Sequence, residues 1–172
     1  MGGSQPFKFV SVFMLTASVL LGIYYFPYAE GTVMKDWISS YLHAYAAVAG
    51  AVLHWLDASV RVHGQEIVGR YSLRIVRTCD AMDVEILFVS AVLAWPAPWR
   101  CKAVAAIAGA TMLLVVNVAR ICSLYYIGIY VPAYFQVAHH ELLPALILVM
   151  AVGAFILFTA WAQPPSSVSS AA

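Results

Sequence analysis

The chain has 172 residues, of which 63% are hydrophobic and 10% charged, and its formal net charge is +1. An ordinary soluble domain is about half apolar and about a quarter charged, so this composition predicts an integral membrane protein. With a net charge close to zero, the chain has no broad basic surface of the kind that indicates nucleic-acid binding. Three widely spaced cysteines argue against a disulfide framework. The length indicates one domain, taken as residues 1–162, followed by a polar tail over 163–172 that is expected to be disordered.

Long apolar stretches predict the membrane spans. A helix needs about 20 apolar residues to cross the ~30 Å hydrocarbon layer, and four stretches are interpreted as such spans: 9–29, 82–95, 103–127 and 142–161. The first is interpreted as an uncleaved anchor, with a cleaved signal peptide as the alternative. A fifth stretch, 37–56, mixes serines and histidines with apolar residues, and it either spans or lies in the interface as an amphipathic helix. The predicted fold class is therefore all-α integral membrane, a bundle of four to five transmembrane helices.

The most polar stretch is residues 57–77, which contains four arginines interspersed with apolar residues and the breaks Gly64 and Gly69. Its patches 65–68 and 71–76 predict two short strands. The stretch is expected to form a small loop region on the extracytoplasmic side of the membrane.

The order of the spans places Cys79, Arg120 and the pair His139-His140 at one membrane face, opposite a short basic loop at 96–102. The positive-inside rule puts that basic loop in the cytoplasm, so the predicted site is extracytoplasmic. This topology requires that the ambiguous fifth stretch does not cross completely. Five spans with an outside N-terminus are one alternative. An inverted orientation, favoured by the arginines that precede Cys79, is the other.

Cys79 stands immediately before the span that starts near residue 81. Asp80 is a suitable N-cap for that helix, and Asp83 three residues later would complete a capping box. The positive end of the helix dipole and the charge of nearby Arg77 would stabilise a thiolate, whereas the two carboxylates oppose it. These residues predict a nucleophile, and the alternative is a buried cysteine that serves packing alone.

Arg120 lies in an apolar helix, where an arginine costs at least ~2.5 kcal/mol in lipid, and it therefore needs a polar partner. Asn117 lies one turn earlier on the same helix face. The pair predicts either a functional site or a structural feature. In the structural interpretation Arg120 reaches the interface or pairs with Asp83 or Glu85.

His139 and His140 offer a group that titrates near neutrality, or they are interfacial histidines without a role. Adjacent histidines lack the i,i+4 spacing that places two zinc ligands on one helix face. The sequence therefore predicts no metal site, and it contains no motif that indicates a cofactor.

Three short segments together resemble, in order and spacing, the exosortase/archaeosortase family of membrane transpeptidases. The segments are Cys79-Asp80-Ala81-Met82, Asn117-Val118-Ala119-Arg120-Ile121 and Phe135-Gln136-Val137-Ala138-His139. The family pattern is a cysteine followed by a small polar residue and usually glycine, then Asn-x-x-Arg on a transmembrane helix, then a histidine. The resemblance extends over residues 64–147, and 86–100 looks especially like the short, exosortase H-like members. The chain departs from the pattern at Asp80 and Ala81, where the family usually has Ser-Gly or Asn-Gly: an aspartate beside the nucleophile disfavours the thiolate, and alanine restricts a turn that glycine would permit. The doubled histidine is a second departure, and the spacing of the pattern favours His139 over His140.

The resemblance implies a cysteine-dependent transpeptidase or peptidase of the inner cell membrane, with its active site on the extracytoplasmic face. Such an enzyme cleaves the C-terminal sorting signal of secreted proteins and transfers them to a cell-surface acceptor, an amine or a glycolipid. The resemblance implies that Cys79 is the nucleophile and that His139 is the general acid and base. Arg120 would stabilise the oxyanion or hold the substrate in place. The residues with supporting roles would be Asn117, Asp80, Arg77 and His140. The sorting-signal helix would lie beside the spans 82–95 and 103–127, among membrane lipids.

Other functions remain open at the level of sequence. The chain could be a non-catalytic membrane scaffold in which Arg120 is a structural intramembrane charge. A small transporter or channel subunit is the second alternative, although the last span has no charged residue. Within the peptidase interpretation, the sequence does not decide whether water or an amine takes the acyl group.

Overall fold

The computed structural model of the protein describes residues 4–77 and 79–162, so the predicted tail at 163–172 lies outside the described residues. The long helices are α1 (Ser4–Tyr25), α2 (Val33–Leu56), α3 (Met82–Ala94), α4 (Trp99–Tyr130) and α6 (Leu143–Trp161). Between α4 and α6 lie a 3-10 turn (Pro132–Tyr134), a single α-helical turn α5 (Phe135–Val137) and a π-helical turn (Ala138–Leu142). Three short strands, β1 (Arg61–His63), β2 (Glu66–Val68) and β3 (Ser72–Arg74), separate α2 from α3.

The helices confirm the all-α membrane fold. Within the described residues, three helical segments are long and apolar enough to cross a bilayer: 6–25, 99–130 and 132–161. The predicted span at 82–95 is the helix α3, but its 13 residues extend only about 20 Å at 1.5 Å per residue. The ambiguous stretch at 37–56 is the 24-residue helix α2. Neither α2 nor α3 is among the three segments that meet these criteria, so the count of four to five spans stays a prediction.

The segment between the last two predicted spans, residues 128–141, is largely helical, which corrects the sequence-based boundaries. Helix α4 continues to Tyr130, and helical structure resumes at Pro132. Proline is favoured in the first turn of a helix, where its missing N–H would have no partner. Pro132 therefore starts helical structure here, and the aromatic and histidine residues that follow lie on helical turns.

The loop region contains the two predicted strands as β2 and β3, and β1 adds a third that the sequence did not reveal. The strands form an antiparallel sheet in the order β1-β2-β3. A two-residue turn joins β1 to β2, and its Gly64 has φ +63°, a left-handed conformation that glycine adopts without strain. Strand β3 is an edge strand, and the chain runs from it directly towards Cys79.

Two contacts seat this sheet on the last third of α4. The buried Tyr125 donates a hydrogen bond to Asp57 Oδ2 (3.3 Å) and accepts one from the backbone N–H of Arg70 (2.9 Å). Gly128 lies against the Tyr71 ring, where an added Cβ would meet a ring carbon at 2.5 Å. Because Tyr71 precedes β3, these contacts fix the strand that leads to Cys79.

Two apolar clusters meet along α4. One joins α2 and the sheet to the C-terminal part of α4, and the other joins α3 and α6 to its N-terminal part. Asn117 lies at the boundary between the two clusters, and it is fully buried. On the outer surface α6 leaves Val149 and Leu157 mostly exposed, as expected of helices that face lipid tails.

Candidate active site

The backbone of Cys79 is held on both sides. Its N–H donates to the carbonyl of Val76 (2.8 Å), and its carbonyl accepts from Asn117 Nδ2 (3.0 Å). The residue is only 8% exposed. Asn117 therefore links α4 to the segment before α3 and fixes the position from which the thiol projects.

The start of α3 differs from the predicted capping box. The N-cap is Ala81, one residue after Asp80, and no side chain caps the helix there. Asp80 Oδ1 instead accepts from the backbone N–H of Met82 (3.1 Å). Ala81 has φ +56°, a left-handed conformation in which alanine is strained by roughly 1 kcal/mol. The family pattern usually has glycine at this position, and glycine has no such strain.

Asp80 is almost fully buried and bonds across the molecule to α1. The Tyr24 hydroxyl donates to Asp80 Oδ2, and Arg77 donates to the Tyr24 carbonyl (3.4 Å) and lies over its ring, 5.9 Å from the centroid. Burial raises the pKa of the Asp80 carboxyl above its ordinary value, against the opposing effect of the Tyr24 hydrogen bond. A raised pKa disfavours the negatively charged form of the carboxyl. The repulsion between this carboxyl and a thiolate at Cys79 is therefore weaker. Sequence reasoning missed Tyr24, because its contact with Asp80 joins residues that are distant in the chain.

Arg120 is 6% exposed and donates to two groups. Its Nη1 donates to Asn117 Oδ1 (3.4 Å), as the i,i+3 spacing predicts, and its Nη2 donates to the backbone carbonyl of His139 (3.2 Å). Within the described residues no carboxylate oxygen lies within 4.0 Å of the guanidinium, so the alternative pairing with Asp83 or Glu85 is wrong. Arg120 Nε is buried and makes no hydrogen bond within the described part of the chain.

The local sequence explains why the His139 carbonyl accepts from Arg120. In the π-helical turn the N–H of Leu143 bonds to Ala138, five residues earlier, instead of to His139. The next residue, Pro144, has no N–H. The His139 carbonyl is thus left without a helical donor, and the guanidinium supplies one. Such π-helical turns occur frequently at functional sites.

The two histidines differ in environment. His139 is half-buried, its ring stacks on Phe135 with 5.7 Å between centroids, and its Nδ1 is buried without a hydrogen-bond partner among the described residues. His140 is exposed and meets the His139 ring edge-on at 4.6 Å. His139, which the family spacing favours, is therefore the histidine that faces the interior.

Cys79 and His139 line the same cavity of about 290 Å³. The other lining residues are Tyr71, Ser72, Leu73, Arg74, Ile75, Val76, Ile121, Leu124 and Phe135. Asn117 and Arg120 do not line it, but they bond to the backbones of the two residues that do. Of the remaining predicted site residues, Asp80 and Arg77 contact Tyr24, and His140 lies outside the cavity.

The length of α4 gives the separation between this site and the basic loop at 96–102. Arg120 lies 21 residues after Trp99, where α4 begins, which is about 32 Å along a helix and close to one hydrocarbon thickness. At the other end of the bundle, Lys102 Nζ donates to the Leu93 carbonyl (2.6 Å). The site and the basic loop therefore lie at opposite ends of the bundle, as the order of the spans predicts.

The fold and the site define a membrane protein in which a cysteine and a histidine line one cavity, with a buried guanidinium bonded to the backbone of the histidine. The family model of the transmembrane exosortases matches residues 9–159. The chain belongs to the transmembrane exosortase family. No curated protein and no solved structure matches it significantly.

Proposed function

We propose that the protein is a cysteine transpeptidase that cleaves the C-terminal sorting signal of secreted proteins and transfers them to a cell-surface acceptor. The observation that carries the proposal is the shared cavity of Cys79 and His139. Membership of the exosortase family supports a sorting-related membrane transpeptidase. Active sites require reacting groups that are held in place before the substrate arrives. The hydrogen bonds from Asn117 and Arg120 supply that restraint.

The reaction follows the chemistry of a thiol beside an imidazole. His139 takes the proton of the Cys79 thiol as Sγ attacks the scissile carbonyl carbon, and an S–C bond and a tetrahedral oxyanion form. When the C–N bond breaks, His139 gives the proton to the leaving amine of the tail. An acceptor amine or the hydroxyl of a glycolipid then attacks the thioester and passes its proton to His139. The S–C bond breaks, and the thiolate regains the proton.

Arg120 is proposed to act through His139 and through its charge. It bonds to the His139 carbonyl, and its positive charge has no carboxylate within 4.0 Å among the described residues to neutralise it. A fixed positive charge in a site with little water stabilises a developing oxyanion. Arg120 is therefore a positioning residue with an electrostatic contribution, and the substrate-clamp role has no support from the cavity lining.

Replacement of Arg120 with lysine tests this role. One ammonium cannot reproduce the planar fork that donates to Asn117 and His139 together. We expect kcat for precursor cleavage to fall by about 10²-fold while KM stays within about twofold. The control is Arg70→Lys, because the Arg70 side chain is exposed, lies against Tyr130 and does not line the cavity. Equal kinetics in the two variants would remove Arg120 from the mechanism.

The proposed setting is the inner membrane, with the cavity on the extracytoplasmic side and the basic loop at 96–102 in the cytoplasm. The apolar tail of the sorting signal would lie in the lipid beside α3 and α4. Because Cys79 lies three residues before the start of α3, the scissile bond would lie close to the point where that tail enters the bilayer.

Deletion of the gene for this chain tests the proposal as a whole. The C-terminal peptides of secreted and surface proteins are compared by mass spectrometry between deleted and complemented cells. We expect a set of proteins to keep an apolar helix and a basic cluster at the C-terminus in the deleted cells and to lose both on complementation. Identical C-termini in the two samples would contradict the proposal.

A further inference from the structure

The cavity that holds Cys79 runs along the free edge of strand β3. Its lining includes six consecutive residues, from Tyr71 to Val76. Consecutive side chains of a strand point to opposite faces of the sheet, so side chains of one face cannot supply a continuous run. The cavity therefore extends beside the backbone edge of β3. Ile121, Leu124, Phe135 and His139 also line it.

The register of the sheet identifies which backbone groups face this cavity. Ile75 N–H donates to the carbonyl of Gln65 (2.9 Å), and Leu73 pairs with Ile67 two residues earlier in β3. In an antiparallel ladder the backbone groups of alternate residues point to the same neighbour. Those of Leu73 and Ile75 therefore face β2, and those of Ser72 and Arg74 point away from it.

The outward groups have no partner within the described part of the chain. Among the described residues, no hydrogen bond outside the helix and strand ladders involves the backbone N–H or carbonyl of Ser72 or Arg74. Donors and acceptors repeated every two residues match the period of an extended peptide. Addition of a peptide strand to an exposed sheet edge is a recurring mode of recognition.

We propose that the substrate segment before the scissile bond adds to β3 as a fourth strand of the sheet. The proposal rests on the proposed function, since the occupant is the sorting signal itself. Hydrogen bonds to the backbone groups of Ser72 and Arg74 hold the substrate segment. The substrate chain then continues towards Cys79, where its scissile bond is attacked. Because β3 runs towards α3, a substrate whose tail enters the membrane lies parallel to β3. The five residues 72–76 extend about 16 Å, which accommodates about five substrate residues.

A proline substitution tests the edge without breaking the existing sheet. Arg74→Pro removes an N–H that faces the cavity, and edge strands tolerate proline at such positions. The matched control Arg74→Ala loses the same side chain and keeps the N–H. The readout is the cleavage rate of the full-length precursor that accumulates in Cys79→Ala cells. We expect the proline variant to be about tenfold slower than the alanine variant, from one lost hydrogen bond and the bulk of the ring. Equal rates would overturn the proposal.

Crosslinking provides a second test that does not depend on the folding of the proline variant. A photoreactive residue is placed at Ser72 in the Cys79→Ala background, and a control is placed at Arg61, which is exposed on the opposite edge strand. We expect precursor to be captured from position 72 and not from 61. Capture from both positions or from neither would overturn strand addition. If no precursor accumulates in Cys79→Ala cells, the proposed function fails as well.

Discussion

Replacement of Cys79 with alanine is expected to abolish cleavage of the precursor, with a loss of at least about 10⁴-fold. The thiol is the only nucleophile proposed for the first step, and the alanine side chain cannot form a thioester. Because Asn117 bonds to the backbone of residue 79 and not to the side chain, the variant should keep the site's geometry. Intact-mass spectrometry of the secreted proteins measures the retained tails.

The matched control is Cys122→Ala. Cys122 lies two residues after Arg120, is half-buried against the apolar core and does not line the cavity. Its replacement should leave the cleavage rate within about threefold. Normal processing in both variants would leave the non-catalytic scaffold as the better interpretation. Loss of processing in the Cys122 variant alone would transfer the role of nucleophile to that residue.

His139→Asn is expected to lower kcat by about 10²- to 10⁴-fold, the usual contribution of a general acid and base. The change keeps the backbone carbonyl that accepts from Arg120, so the π-helical turn should persist. Added imidazole should restore part of the rate by replacing the missing proton carrier. A purely structural loss would not respond to imidazole.

The adjacent histidine provides the control for this prediction. His140→Asn changes the same residue type one position later, on an exposed side chain outside the cavity. We expect its rate to stay close to that of the unaltered protein. The reverse pattern would assign the role to His140, and unchanged rates in both variants would remove the imidazole from the mechanism.

Features that depend on local spacing could be predicted from the sequence. Apolar length alone identified α1, α4 and α6 as spans, because crossing the bilayer sets a minimum length. The bond between Arg120 and Asn117 follows from positions three apart on one helix. The order of the spans also predicted that Cys79 and His139 lie at the same end of the bundle.

Features that depend on distant or unusual backbone contacts could not be predicted. The bond between Tyr24 and Asp80 joins residues 56 positions apart, and no periodic pattern indicates it. The bond from Arg120 to the His139 carbonyl requires the π-helical turn before Pro144, whereas a polar sequence with prolines is typical of a loop. The N-cap shifted to Ala81 because that residue adopts a left-handed conformation, which sequence patterns rarely indicate for alanine.

The backbone at Ala81 also determines which natural variation the position accepts. With φ +56°, a residue with a branched Cβ would be a severe outlier, whereas glycine, asparagine and alanine differ by roughly 1 kcal/mol or less. A search motif that demands glycine two positions after the cysteine would pass over chains such as this one. A motif that admits any small, unbranched residue there would recover them.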